Sequence, residues 1–243
     1  MSNLFEPAIH FHEVDYSVDD IHILKKITGS FPKGKITTLV GPSGAGKTTL
    51  LKLCNGLLSP SSGEILIHNK PIGIYEPVEL RRLVGIALQS APMITGSVLQ
   101  NLALPMELQG KQLAEQDAIK FLQDVGLDQS FLQRKTADLS GGQRQKVSIA
   151  RTLINRSDIL LLDEITSALD RTSLREIEEL IVKINRESCV TIIWITHNLE
   201  QALSIGDYTW VLRDGQVIEA GESSLLTSST NDFVRRFVEG DVG

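Results

Sequence analysis

The stretch Gly41-Pro42-Ser43-Gly44-Ala45-Gly46-Lys47-Thr48 constrains this chain most, because it fits the pattern G-x-x-x-x-G-K-[ST] in the context that pattern needs. The glycines let the backbone curl so that successive N–H groups face one point, Lys47 adds a positive charge there, and the Thr48 hydroxyl can ligate Mg²⁺. Before it, Lys35-Ile36-Thr37-Thr38-Leu39-Val40 is β-branched and apolar enough for a buried strand. After it, Thr49-Leu50-Leu51-Lys52-Leu53 continues as a helix whose N-terminal dipole favours an anion. The expected ligand is a nucleoside triphosphate, held by its phosphates.

A chain of 243 residues suits one large α/β domain with a small inserted lobe. The net charge is −6 with both signs interspersed, and no Lys/Arg run could form a stripe along a phosphate backbone, which argues against a nucleic-acid partner. Residues 1–7 lack a basic region followed by an apolar run, so a cytosolic chain is expected. The longest apolar runs, 159–162 and 190–196, fall far short of the roughly 20 residues that cross a bilayer, so any membrane role should be peripheral. Cys54 and Cys189 lack CxxC or Cys/His spacing and are expected to pack in the core.

The opening segment alternates Ile9, Phe11 and Val14, then Ile21, Ile23, Ile27 and Phe31, which predicts a β-meander. Residues 59–63 read as a turn and 64–67 as another strand. From about 89 to 139 the pattern is helical, with Ala118, Phe121, Leu122 and Val125 on one face and Gly126 placed to end the helix. A helix over 142–155, a strand over 158–162, a helix bearing Leu174, Ile177, Ile181 and Ile184, and a strand over 190–196 follow. Strands alternating with helices predict a parallel sheet. Two short strands around Asp214-Gly215 and an amphipathic helix with Phe233, Phe237 and Val238 end the chain.

Ile159-Leu160-Leu161-Leu162-Asp163-Glu164 delivers two carboxylates at the C-terminal end of a buried strand, where open parallel sheets bind ligands. Beside a phosphate-binding loop, Asp163 is the candidate Mg²⁺ ligand and Glu164 the candidate base for an attacking water. The competing reading has both acids cap the next helix. Leu139-Ser140-Gly141-Gly142-Gln143 begins another helix, and its flexible start with free N–H groups and a serine hydroxyl reads as a second anion site.

With these motifs in this order, nearly the whole chain resembles the ATP-binding subunit of ATP-binding-cassette (ABC) transporters, in which Leu139 to Gln143 corresponds to the signature sequence. The resemblance implies an α/β fold over 1–243 in a single domain. Its P-loop NTPase core would have a mainly parallel sheet, joined by an N-terminal antiparallel β subdomain and an α-helical subdomain inserted at about 90–140. It implies ATP and Mg²⁺ as ligands, with Gly41, Pro42, Ser43, Gly44, Ala45, Gly46, Lys47, Thr48 and Thr49 around the phosphates and metal. Gln89 would sense metal and water while linking to the membrane partner, and Tyr16 would stack on adenine, the alternative being a strand-edge tyrosine packed on the surface. Ser140, Gly141, Gly142 and Gln143 would meet ATP bound to the opposite protomer, so that a homodimer sandwiches two nucleotides head to tail. Asp170 would communicate across that interface, and His197 would hydrogen-bond the γ-phosphate. Glu164, His197, Lys47 and Gln89 form the implied catalytic set; Thr48, Gln89 and Asp163 form the implied metal set.

The resemblance further implies an ATPase on the cytoplasmic face of the membrane, touching it only through a separate integral membrane permease. A soluble cassette acting on ribosomes or DNA is the rival; such relatives usually carry two cassettes or a long inserted coiled coil, and neither is present. A regulatory ATP-binding module is disfavoured because Glu164 and His197 are both in place. Ile165 stands where most importer subunits have proline. Together with Gln89-Ser90-Ala91-Pro92 and Val98-Leu99-Gln100-Asn101-Leu102 it is similar to a branch proposed to export iron or related metals. The overall layout also resembles importers of phosphate, amino acids and osmoprotectants, the last through Asn231-Asp232-Phe233-Val234-Arg235-Arg236-Phe237.

Overall fold

In the computed structural model, which describes residues 5–240, β1 (Pro7–Val18) and β2 (Ile21–Pro32) form a long antiparallel hairpin. Residues 1–4 of the leader reading lie outside the described residues. After the hairpin come β3 (Ile36–Val40), the glycine-rich loop, α1 (Lys47–Cys54), β4 (Ser62–Ile67), β5 (Lys70–Pro71), α2 (Pro77–Leu83) and β6 (Val84–Leu88). Next are α3 (Val98–Glu107), α4 (Glu115–Asp124) and α5 (Gly141–Leu153), then β7 (Ile159–Asp163), α6 (Arg171–Ser188) and β8 (Thr191–Ile195). The chain closes with α7 (Leu199–Ile205), β9 (Tyr208–Arg213), β10 (Gln216–Glu222), α8 (Leu225–Ser228) and α9 (Asp232–Val238).

The strands make two sheets. One, in the order β2-β1-β4-β5, is antiparallel; the other runs β10-β9-β3-β8-β7-β6, with every pair parallel except β10 on β9. The expected opening meander is therefore a hairpin whose third strand arrives only after α1. β4 pairs with β1 rather than extending past β2, because Ile9 and Phe11 bring their register to Ile67 and Ile65.

Side-chain alternation divides the core. Ile159, Leu161, Ile193 and Ile195 face the antiparallel sheet, where Phe11, Phe31 and Trp210 meet with ring centroids 4.5–5.9 Å apart. Leu160, Leu162, Ile192 and Trp194 face the opposite way and pack on Leu102, Leu122, Val147 and Ile177 of the helices. Burial on both faces is why β7 and β8 read as continuous apolar runs.

Between residues 89 and 139 the helical pattern resolves into α3 and α4 with two 3₁₀ turns, 129–131 and 136–138. Ser97 and Gln100 start α3 with a reciprocal capping box, and Gly126, at φ 71°, follows the end of α4 as its pattern predicts. Cys54 is buried, but Cys189 is exposed, contrary to expectation: it caps α6 in a left-handed turn (φ 52°) that carries its side chain away from the core.

Candidate functional site

Because β3, β8, β7 and β6 are adjacent and parallel, the segments leaving their C-terminal ends gather along one edge. They carry, in that order, the loop 41–46, His197, the Asp163-Glu164 pair and Gln89. The loop fits against its neighbours closely. A Cβ at Gly41, where φ is 143°, would lie 2.1 Å from the Leu212 carbonyl oxygen, and one at Gly46 (φ 95°) would lie 2.6 Å from Leu24 Cδ2. Gly46 caps α1 with no side-chain acceptor, so the helix presents its first turn to the loop.

Lys47 is buried, and its Nζ donates to the carbonyls of Gly41 (2.7 Å) and Pro42 (2.8 Å). Burial holds its pKa below the usual lysine value, while the Glu164 and Asp163 carboxylates act in the opposite sense. Residues 43–49, with Ile23, Glu164 and His197, line a cavity of about 410 Å³.

Thr48 Oγ1 donates to Asp163 Oδ1 at 3.2 Å. Burial pushes the Asp163 carboxyl above its usual pKa; that hydrogen bond pulls it down, and the neighbouring Glu164 adds to the upward push. Glu164 adopts a left-handed backbone (φ 51°), sparsely populated for a residue with a side chain. Its Oε1 lies 2.7 Å from His197 Nε2. Gln89 Nε2 donates to Ser167 Oγ at 2.9 Å, and Ser167 Oγ donates to the Glu164 carbonyl at 2.9 Å, so Gln89 reaches the acidic turn through one hydroxyl.

These donors suit Mg²⁺. Thr48 and Asp163 offer hard oxygens in contact with each other, and among the described residues no group of three or more His, Cys, Asp or Glu side chains could hold a metal by itself. A partial oxygen shell of this kind is what Mg²⁺ takes when phosphates and waters complete its coordination.

At the second expected anion site the start of α5 is ordered rather than flexible. Ser140 Oγ accepts from Gln143 N at 3.3 Å and Gln143 Oε1 accepts from Ser140 N at 3.0 Å, so the start of α5 is ordered by a capping box in which the Ser140 hydroxyl accepts and keeps its own proton to donate. Gly142 has a structural reason as well. A Cβ there would sit 2.7 Å from Ser173 Oγ, so glycine lets α5 and the first turn of α6 approach. Asp170 caps α6, accepting from the Thr172 and Ser173 amides at 3.0 Å each. None of residues 140–143 lines the 410 Å³ cavity, nor does Tyr16, which sits half-buried on β1 opposite Leu24. Ile23 lines that cavity although its sequence signal was only one step of an apolar alternation, and the bridging role of Ser167 had no sequence signal.

A phosphate-type loop, paired acids and a histidine on one parallel edge, with a separate Ser-Gly-Gly helix start, is the arrangement of a known family. Residues 24–167 match the model of the ABC transporter family. The chain belongs to that family. As an ABC ATPase it is an enzyme that binds and hydrolyses ATP. It is 44% identical over 239 residues to the Bacillus subtilis (strain 168) protein YjkB, named as an ABC transporter ATP-binding protein, the match covering 96% of this chain and 95% of that one. Among solved structures, CbiO1 of Clostridium perfringens, described as part of the ABC transporter complex cbiONQ, superposes with a TM-score of 0.83 at 30% identity, covering 95% of this chain and 94% of that one. The cassette MJ0796, a dimer in a post-hydrolysis state bound to ADP and Pi, gives a TM-score of 0.78 at 30% identity, over 88% and 98%. Among the described residues of this ABC ATPase, no helix is long and apolar enough to cross a membrane.

Proposed function

We propose that this ABC ATPase dimerises head to tail around two ATP molecules and drives a separate integral membrane permease from the cytoplasmic face. In each site, Gly41 to Gly46 and the first turn of α1 cradle the phosphates, Lys47 leaves its carbonyl partners for the β/γ end, and Tyr16 stacks on adenine. Thr48, Gln89 and Asp163 would hold Mg²⁺, which when bound neutralises phosphate charge, with Thr49 beside the phosphates. Glu164 takes a proton from the attacking water as that water adds in line to the γ-phosphorus, and the bond to the leaving ADP oxygen breaks. His197, the loop N–H groups and Lys47 hold the charge that develops on the γ-phosphate oxygens.

One observation carries the dimer: Glu164, His197 and Lys47 share a cavity that Ser140, Gly141, Gly142 and Gln143 do not line. If the signature segment contacts ATP, it does so on another copy, with Asp170 and its turn at the shared face. The dimeric MJ0796 structure supports this, and CbiO1 as part of a transporter complex supports a permease partner. Gln89, tied through Ser167 to the acidic turn, is positioned to relay movement of that partner to Glu164. For cargo, Ile165 in place of proline supports a metal ion carried outward. The test of the sandwich is the solution mass of Glu164→Gln by light scattering, with and without ATP and Mg²⁺. Dimer formation only with ATP is expected, and a monomer in both conditions contradicts a trans site formed by this chain alone.

A further inference from the structure

Gln201, in the first helical turn after His197, is 1% exposed and belongs to none of the motifs above. Its Nε2 donates to Glu178 Oε1 on α6 at 2.8 Å and to Thr166 Oγ1 at 3.3 Å. An ionised carboxylate can only accept, so Glu178 fixes which end of the Gln201 amide faces α6. Thr166 is itself buried, two residues beyond Glu164. The same two chain segments are thus joined twice: by Glu164 with His197, and by Thr166 with Gln201.

The second link has a mechanical consequence. Glu164 holds a left-handed backbone that persists only where its surroundings over-determine it. On the strand side, Glu164 N donates to the Ile195 carbonyl at 3.2 Å; on the other side, the chain is pinned at Thr166. The His197 segment is pinned in turn by Gln201, whose backbone N donates to Asn198 Oδ1 at 3.1 Å. Without the Gln201 amide, the His197 turn and the Glu164 turn would keep, beyond the backbone bond from Glu164 N to the Ile195 carbonyl, only their mutual side-chain bond, which must rearrange once a γ-phosphate and a water enter.

We propose that Gln201 is a positioning residue for ATP hydrolysis, holding the His197 turn and the Glu164 turn in register through Thr166 and Glu178. This rests on the reading of Glu164 and His197 as the base and the γ-phosphate contact. A residue buried outside the cavity of the phosphate loop alters the geometry of attack and leaves nucleotide binding intact.

The test compares steady-state ATP hydrolysis, ATP affinity by calorimetry and thermal midpoint for the full chain and for Gln201→Met, Gln201→Glu, Glu178→Gln, the Glu178→Gln/Gln201→Glu pair, and Glu164→Gln. Gln201→Met should lower kcat about 10- to 100-fold, the scale of a small misplacement of reacting groups, with KM and affinity for ATP unchanged. Gln201→Glu should do the same, because it sets two carboxylates against each other. The pair should restore kcat, since the amide now on α6 can donate to the carboxylate now on α7. Wild-type kcat in folded Gln201→Met, or a Gln201→Glu defect that the pair does not rescue, overturns the proposal. If Gln201→Met does not fold, the comparison of Gln201→Glu with the pair decides. Full turnover in Glu164→Gln would instead overturn the reading of Glu164 beneath it.

Discussion

His197 Nε2 lies 2.7 Å from Glu164 Oε1 because Ile195 and Asp163, which precede them, are register partners on β8 and β7. The pair therefore belongs to the sheet, and substituting the carboxylate should disturb chemistry more than architecture. Glu164→Gln is expected to slow turnover about 10²- to 10⁴-fold, the range for a lost general base, with ATP still bound. Phosphate release under single-turnover conditions, together with nucleotide retention on a desalting column, checks both halves. Wild-type turnover would remove Glu164 as the base.

Lys47→Ala acts on binding. Its ammonium is buried and already holds two carbonyl oxygens, so the loop is organised around it before nucleotide arrives. Loss of a charge-assisted contact to phosphate should weaken ATP affinity by about 10²-fold by titration calorimetry. Affinity equal to wild type would show that the loop amides suffice.

Gly41→Ala should fail for a structural reason. The new Cβ would meet the Leu212 carbonyl oxygen at 2.1 Å, and φ is 143°. Strain and overpacking together predict a loss of about 2–3 kcal/mol in urea unfolding, even without nucleotide. An unchanged midpoint would mean that β9 moves aside freely.

Acid should loosen the start of α6. Backbone and side-chain hydrogen bonds from Ser173, then the Thr172 amide, hold the Asp170 carboxyl below its usual pKa. A folded-state pKa depressed in this way contributes stability that is present above the unfolded-state value and lost as pH falls through the folded one. Asp170→Asn, which can still accept from the amides but does not titrate, should flatten that part of the acid limb in pH-dependent unfolding. An acid limb identical to wild type would assign the titration elsewhere.

Much of the fold was legible because its signals are local. The glycine spacing of 41–46, the strand at Ile159–Asp163 and the 3.6-residue period of α6 depend on dihedral preference and side-chain period over a few residues. The same local logic misplaced Cys189, since composition reports a preference for the core and not the left-handed turn that ends α6. It also missed the capping box at Ser140, whose reciprocal bonds order a helix start that read as flexible.

The sequence by itself determined the phosphate loop, the acidic strand end, the alternation of strands with helices that makes a mainly parallel sheet, and the family to which these belong. The tertiary structure alone decided which of those pieces meet. Thr48 and Asp163 are 115 residues apart and Glu164 and His197 are 33 apart, yet each pair is in hydrogen-bond contact. Strand order in the sheet, set by burial of both its faces, brings them together. It likewise gives the Gln201 side chain its partners Thr166 and Glu178, and Gly142 its close approach to Ser173. Such contacts are properties of packing between distant segments, and no window along the chain contains both sides of them.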